Sequence, residues 1–207
     1  MINDVLDTSR MDAGKLRIEP TTFLANDLIS ELEKSFEPIL STKSQTLKVS
    51  MSKSDVWVEA DRNRTAQLIT NLISNAHKYS GENAEVRLSI SVEDKNLIVL
   101  VEDEGIGISE EDQKQLFTAF FRADNRAARE AGGTCLGLVI ARSIAELHGS
   151  KLWLNSIENQ GTTVAFKIPG VTSEPVIDPA VEEELTMLAQ RSRLYPDTDW
   201  EDIGETA

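Results

Sequence analysis

The feature that most constrains the fold is a pair of strand-like segments joined by a very short turn. Residues 85–92 alternate apolar and polar side chains, residues 96–103 are rich in Val, Leu and Ile, and Glu93, Asp94 and Lys95 separate them. Such a pair is typical of a β-hairpin, so we expect a sheet that contains antiparallel neighbours.

Segments with regular patterns lie on both sides of this hairpin. Apolar residues at helical spacing predict helices at residues 26–40, 61–79, 109–117 and 136–148. Further strands are predicted at residues 16–23, 46–51, 56–60, 151–155 and 162–168. Asp61 is a favourable N-cap for the long helix, and Ser109 with Asp112 forms a capping box for the next one. Helices and strands in this mixed order predict the α+β class.

Composition excludes several classes of protein. The chain has 21 Lys and Arg against 35 Asp and Glu, a net charge of −14, which argues against a general nucleic-acid binder and against docking to anionic membranes. One cysteine, Cys135, excludes an internal disulfide, and two separated histidines argue against a classical zinc enzyme. No apolar run approaches about 18 residues and no signal peptide is seen, so we expect no membrane span.

Charge is unevenly distributed along the chain. Residues 171–207 contain ten acidic residues against two arginines, a net of −8, whereas residues 114–142 have a net of +3. A basic stretch with glycines in an acidic protein fits a small anionic ligand, but a solvated surface loop explains it equally well.

The chain divides into three predicted parts. Residues 1–14 show helical spacing that ends at Gly14, residues 15–170 contain the regular elements, and residues 171–207 form an acidic tail. Asp178 and Pro179 in the tail are a plausible cap and first residue of one short helix.

Three polar or glycine-rich segments stand at predicted element ends. In NLISNAHKYS (residues 71–80), Asn71, Asn75 and Lys78 share one helical face, where amides can complete a magnesium shell and the lysine can contact a phosphate. In DEGIGI (residues 103–108), a carboxylate at a strand end precedes Gly-x-Gly, which lets the backbone approach a ligand closely. GGTCLGL (residues 132–138) opens a helix, where backbone N–H groups can bind an anion. Each segment alone is also explained by a polar helix face, an acidic turn or a glycine loop.

Together, these segments resemble the ATP-binding domain of sensor histidine kinases, in the ATPase family that also includes gyrase B, Hsp90 and MutL. The three segments are similar to the family's N box and its two glycine boxes, and FTAFFR (residues 117–122) is similar to its phenylalanine box. GTTVAFKIP (residues 161–169) resembles the closing strand, and residues 1–14 resemble the end of a dimerisation-domain helix. The resemblance implies a two-layer α/β sandwich with a mixed, mostly antiparallel sheet covered by helices on one face.

The resemblance also implies roles for individual residues. The catalytic contacts to phosphate would come from Asn71, Lys78 and Arg122, with Arg126 or Arg129 as alternatives to the last. Asn75 would coordinate Mg²⁺, and Asp103 would accept a hydrogen bond from the adenine amino group with water-mediated support from Thr163. The remaining ATP contacts would come from Tyr79, Gly105, Gly107, Ile108, Gly133, Leu136, Gly137 and Leu138. Residues 123–135 would be a lid that orders when ATP binds.

Two positions depart from the family pattern. Hydrolytic relatives have a glutamate at the position of Asn71, and an amide cannot take a proton, so we expect no efficient ATP hydrolysis. The middle glycine of the second glycine box is replaced by Cys135. A side chain at that position puts lid closure in question.

The interpretation that follows is a domain that transfers the γ-phosphoryl group of Mg·ATP to a histidine on an upstream dimerisation domain, which then passes it to a response regulator. His77 and His148 are each followed by a residue other than the acid that follows an acceptor histidine, and His148 is interpreted as structural. The parent protein would be a homodimer, cytoplasmic or the cytoplasmic part of a membrane sensor. Two alternatives stay open: a degenerate nucleotide-binding (pseudokinase) module, favoured by Cys135, and an interaction domain that works through its acidic tail.

Overall fold

The computed structural model describes residues 7, 9, 11, 15–51, 54–118, 121 and 136–172. The helices and strands named in these residues are, in chain order, β1 (Thr21–Leu24), α1 (Ala25–Ser41), β2 (Thr46–Met51), β3 (Trp57–Ala60), α2 (Arg62–Tyr79), β4 (Glu85–Glu93), β5 (Asn96–Asp103), α3 (Glu110–Gln113), α4 (Gly137–Leu147), β6 (Leu152–Ile157) and β7 (Gly161–Pro169). In the opening segment, residues 7, 9 and 11 are helical, as predicted. The mixed order of elements confirms the α+β class.

The main sheet has five strands in the order β2-β4-β5-β7-β6. β2 runs parallel to β4, and the three remaining pairs are antiparallel, including the predicted β4–β5 hairpin. β1 and β3 form a separate antiparallel pair. The sheet is therefore mixed and mostly antiparallel, as the resemblance implies.

The helices bury one face of this sheet. Along β5, Leu97, Val99 and Val101 are buried, and α2 packs on the same strand. Ile73 of α2 and Ile140 of α4 are fully buried where the two helices pack together. Each such side chain contributes roughly 1.5–3 kcal/mol of transfer free energy. This packing brings the C-terminal half of α2 beside the beginning of α4.

The local signals at two helix starts are confirmed. The Asp61 side chain accepts a hydrogen bond from the Arg64 N–H at 3.0 Å, and Ser109 accepts one from the Asp112 N–H at 3.1 Å. The helix after Ser109 is shorter than predicted, however, since it spans only Glu110–Gln113. None of its four residues is buried, and beyond Gln113 the chain continues in tighter turns, in which the Leu116 N–H donates to the carbonyl of Gln113, three residues back, at 3.3 Å.

The packed chain continues two residues beyond the predicted boundary at Gly170. Val171 is buried and donates its N–H to the Lys95 carbonyl at 3.0 Å, and Thr172 donates to the Trp57 carbonyl at 2.9 Å. The predicted lid (residues 123–135) and the tail beyond Thr172, with its expected short helix, lie outside the described residues. In the part of the chain that is described, no helix is both long enough and apolar enough to cross a bilayer.

Candidate functional site

The predicted polar face of α2 lies against the first turn of α4. Asn71 and Asn75 are one helical turn apart, and a Cβ built on Gly137 would lie 3.7 Å from the Asn71 side-chain oxygen. The Asn71 amide nitrogen is buried and has no hydrogen-bond partner among the described residues. A buried donor without a partner costs about 1–3 kcal/mol, so this amide is suited to an acceptor that enters the site.

The beginning of α4 offers further donors at the same place. Leu136 occupies the N-cap position and makes no side-chain cap hydrogen bond. The N–H groups of the first turn of a helix have no partners within the helix, and the helix dipole favours an anion there. The predicted contacts of Gly137 and Leu138 therefore fit phosphate binding through backbone N–H groups. The side chain of Leu136 is instead fully buried in the core.

At the end of α2, the Lys78 ammonium lies on its neighbour. Its Nζ donates to the Tyr79 hydroxyl at 2.8 Å and lies 4.5 Å from the centroid of the Tyr79 ring. The two residues predicted to contact phosphate and base are thus in contact with each other. The cation–π contact and the hydrogen bond hold the positive charge at this end of the helix.

The first glycine loop is fixed between α2, α3 and the β6–β7 turn. The Ile106 N–H donates to the Tyr79 carbonyl at 3.2 Å, and the Ile106 carbonyl accepts from the Asn159 N–H at 2.7 Å. Gln113 donates its side-chain amide to the Ile108 carbonyl at 2.8 Å. These contacts order the loop that follows Asp103, and Ile108 itself packs against the core.

Both glycines of this loop are needed for its path. At Gly105 a Cβ would lie 2.6 Å from the Tyr79 carbonyl oxygen. Gly107 has φ +62, and a Cβ there would lie 2.0 Å from the Ile157 carbonyl oxygen. The pattern Gly-x-Gly therefore reflects close backbone approach at one position and a left-handed conformation as well at the other.

Asp103 is a partly buried carboxylate at the end of β5. Burial raises its pKa to about 6 from an ordinary 3.8, although the N–H groups of Gly105 and Thr162 lower it by donating hydrogen bonds. The Gly105 N–H reaches Oδ1 at 2.8 Å. The carboxylate thus has acceptor capacity left in a poorly solvated place, where a donor from a ligand would favour the charged form.

The strand register separates the predicted Thr163 from Asp103. Thr163 lies opposite Glu102, whereas Thr162 lies opposite Asp103. Directly opposed residues share a face, and neighbours along a strand point to opposite faces. Glu102 is 3.5 Å from the Arg87 guanidinium, on the face away from the helices. The residue that shares the face of Asp103 is therefore Thr162, which was not predicted from the sequence. The signal for it is Val164, two residues further along the strand, which is buried on the same face.

Other predicted positions are structural or lie elsewhere. Both ring nitrogens of the buried His148 are bonded to backbone, since Nε2 accepts from the Asp61 N–H at 3.2 Å and Nδ1 donates to the Ile144 carbonyl at 2.8 Å. These bonds fit the structural role predicted for His148. The remaining predicted contacts that lie outside the described residues are Arg122, Arg126, Arg129, Gly133 and Cys135.

The described residues contain no group of three or more His, Cys, Asp or Glu that could hold a metal ion. The oxygen donor that lies one turn from Asn71 on α2 is the amide of Asn75. A single neutral amide can complete the octahedral shell of Mg²⁺ where phosphate oxygens and water supply the other ligands. The donors present thus fit a magnesium ion that arrives with a phosphate group.

The sequence is similar to those of known proteins. The sequence pattern of the family described as histidine kinase-, DNA gyrase B-, and HSP90-like ATPase matches residues 60–172. Sensor histidine kinase WalK of Bacillus subtilis is 36% identical over 173 residues, which are 82% of this chain and 28% of that protein. The chain thus spans little more than a quarter of the length of this relative.

Solved structures share the fold. The catalytic domain of histidine kinase ThkA is 33% identical, with a TM-score of 0.64 over 74% of this chain and 97% of that one. ThkA in complex with the response regulator protein TrrA is 30% identical, with a TM-score of 0.64 over 80% of this chain and 47% of that one. Full-length ShkA in complex with AMPPNP has a TM-score of 0.73 over 84% of this chain and 36% of that one, at 24% identity.

Proposed function

The chain belongs to the family of histidine kinase-, DNA gyrase B- and HSP90-like ATPases, and from this premise we propose that it is the ATP-binding catalytic domain of a sensor histidine kinase. Its reaction would be the transfer of the γ-phosphoryl group of ATP to a histidine on a dimerisation domain. A response regulator would then receive the phosphoryl group, as the complex of the related ThkA with TrrA supports.

The single observation that carries the proposal is the position of the buried Asn71 amide. Its nitrogen has no partner among the described residues, and the same side chain lies against Gly137 in the first turn of α4, which has no side-chain cap, so a free donor and a helix N-terminus lie close together. A phosphate group would satisfy both, because it supplies acceptor oxygens and negative charge. Asp103, a partly buried acceptor at the end of β5, is suited to the amino group of adenine and would form the other end of the site.

The residues of the chain would act mainly by binding and orientation. Asp103 would hold the adenine, with Thr162 rather than Thr163 as the threonine on its face. Asn71 and the first-turn N–H groups of α4 would orient the phosphates, and Lys78 would add charge once it moves from Tyr79. Positioning and charge neutralisation supply most of the catalysis of phosphoryl transfer.

A magnesium ion bound with ATP would neutralise charge that develops on the phosphates. Asn75 would hold it from α2, together with phosphate oxygens and water. Arg122 and Gly133, predicted from the sequence, would complete the site from the segment outside the described residues. The side chain at Asn71 is an amide and not a carboxylate, so the site would favour transfer over hydrolysis by water.

Partners and location follow from the proposed reaction. The acceptor histidine would lie on an upstream dimerisation domain whose last helix ends in residues 1–14, and the parent protein would be a homodimer. An ATP-dependent domain of this kind would work in the cytoplasm, free or attached to a membrane sensor.

Calorimetry with Asn75→Ala tests the site. We expect the parent chain to bind Mg·ATP, and the variant to bind it about tenfold more weakly because one metal ligand is lost, while adenosine affinity stays within about twofold. Asn63→Ala is the control, since this exposed asparagine lies on the same helix, in the first turn of α2, three helical turns from Asn75. Equal Mg·ATP affinity in the parent and in Asn75→Ala would refute the assignment of Asn75.

A further inference from the structure

The C-terminal turn of α2, defined here as residues 77–81, is tied down unusually fully. A helix leaves its last four carbonyl groups without partners inside the helix. In this turn the carbonyls of His77, Lys78, Tyr79, Ser80 and Gly81 all accept hydrogen bonds from other parts of the chain. This is the turn that carries Lys78 and Tyr79 into the proposed ATP site.

Most of these bonds come from two residues far away in sequence. The Lys43 ammonium donates to the carbonyls of His77 at 2.9 Å, Lys78 at 3.1 Å and Ser80 at 3.2 Å. The Gln45 amide nitrogen donates to the Gly81 carbonyl at 2.8 Å, to that of Ser80 at 3.2 Å and to that of His77 at 3.3 Å. A cation at a helix C-terminus also interacts favourably with the helix dipole.

The orientation of the Gln45 amide is fixed as well. Its nitrogen points at the carbonyls of α2, so its oxygen is the acceptor for the Nδ1–H of His77, at 2.6 Å. Burial, and then the nearby Lys43 charge, lower the pKa of His77. Gln45 is itself buried, so its polar atoms depend on these partners.

The end of α1 directs both side chains toward α2. The Gln45 N–H donates to the Leu40 carbonyl at 3.0 Å, which turns the chain back after the helix. Ser44 between the two residues has φ 53, a left-handed conformation common after a helix end. The Lys43 carbonyl accepts from the Asn83 N–H at 2.9 Å, which anchors this turn to the chain that follows α2.

We propose that Lys43 and Gln45 are positioning residues for the ATP site, acting through the C-terminal turn of α2. The inference rests on the proposed function, and it assigns a role to two residues outside all four boxes. The turn they hold presents the Tyr79 carbonyl to the Ile106 N–H of the first glycine loop, and it sets the direction of Lys78. Loss of either residue frees carbonyls of the turn, so both the adenine end and the phosphate end of the site shift.

The test compares Lys43→Met with Lys43→Arg and with the control Lys48→Met, an exposed lysine on β2. Each variant of the 207-residue chain is titrated with Mg·ATP at a temperature and denaturant concentration where urea unfolding shows it to be fully folded. We expect Lys43→Met, which removes all three hydrogen bonds of the ammonium, to weaken binding about tenfold or more, and Lys43→Arg and Lys48→Met to remain within about twofold of the parent. Gln45→Met is expected to weaken binding by about fivefold.

A second readout needs no nucleotide. Amide hydrogen exchange of Ile106 is followed by NMR in the parent and in Lys43→Met, with Val99 in the middle of β5 as the internal reference. We expect exchange at Ile106 to be faster by about tenfold or more in Lys43→Met, and exchange at Val99 to change less, because only the loop contact to Tyr79 loosens.

The outcomes separate the two proposals. If the parent binds Mg·ATP but Lys43→Met binds equally well, or if Ile106 and Val99 change by the same factor, the positioning role is refuted and only a stabilising role remains. If the parent binds no Mg·ATP, the proposed function fails, while selective loosening of Ile106 would still support the role of Lys43 in ordering the glycine loop.

Discussion

Replacing Asp103 by asparagine should stabilise the fold and weaken adenine binding at the same time. Burial raises the pKa of this carboxyl from 3.8 to about 6. Above pH 6 the carboxyl is ionised, and the ionised form is less favourable in the folded chain than in the unfolded chain. Because the pKa is higher in the folded chain, the group contributes its full stabilisation at a pH below its pKa in the unfolded chain, 3.8. This contribution is lost as the pH rises through about 6.

The size of the effect follows from the shift. A difference of about two pKa units corresponds to about 3 kcal/mol of unfolding free energy above pH 7, of which about half is present at pH 5 and little at pH 4. The asparagine oxygen can still accept from the Gly105 N–H, but its nitrogen needs a partner. We therefore expect Asp103→Asn to raise the unfolding free energy by about 1–3 kcal/mol at pH 7.5.

Urea unfolding between pH 4 and pH 7.5 measures this gain, and calorimetry measures the loss of affinity for ATP. Glu82→Gln is the matched control, because this exposed carboxyl should change stability by less than about 0.5 kcal/mol at any pH. A gain in stability together with a loss of affinity is expected when a residue that binds a ligand is unfavourably desolvated in the folded chain. A variant that is less stable than the parent at pH 7.5, or a gain that does not shrink toward pH 4, would refute the reasoning.

Three further predictions concern two positions with positive φ and the C-terminal boundary of the packed chain. Ser44→Gly should raise the unfolding free energy by about 0.5 kcal/mol, because φ 53 costs a serine more than a glycine; urea unfolding would contradict this by showing a loss. Gly107→Ala should lower the unfolding free energy by about 2 kcal/mol or more, because a Cβ is opposed both by φ +62 and by the Ile157 carbonyl oxygen at 2.0 Å. A variant that unfolds thermally at the same Tm as the parent would contradict this. Truncation after Thr172 should leave the unfolding free energy unchanged and the Mg·ATP affinity within about twofold of the parent. Truncation after Gly170 also removes the buried Val171, so it should lower the unfolding free energy by about 1 kcal/mol or more.

Local patterns predicted the parts of this fold that depend on local interactions. The bounds of β2 and β5 and the N-cap at Asp61 agree with the prediction, because alternation and capping act within a few residues. The helix α3 is shorter than its sequence pattern predicts, because after Gln113 the chain tightens into three-residue turns while Leu116 still packs against the core. The parallel pairing of β2 with β4 depends on the path of the whole chain, so no local pattern indicates it.

The candidate site shows the same division. The structure brings the motif residues Asn71 and Gly137 together and places Asp103 at the end of β5, while their contacts to a nucleotide stay a prediction. The choice of Thr163 instead of Thr162 came from position in a motif, and only the register against β5 shows which residue shares the face of Asp103. Lys43 and Gln45 had no motif at all, since their partners are more than 30 residues away along the chain.

The reaction that we propose for this chain is the transfer of the γ-phosphoryl group of ATP to a histidine of another domain. The most direct measurement incubates the full chain with Mg²⁺, γ-labelled ATP and a purified histidine-kinase dimerisation domain that carries an acceptor histidine, with Asn75→Ala as the control. We predict acid-labile label on the added domain and none on this chain, with at least about tenfold less label in the control and little free phosphate released. Label on His77 or His148, or release of phosphate without transfer, would contradict the account.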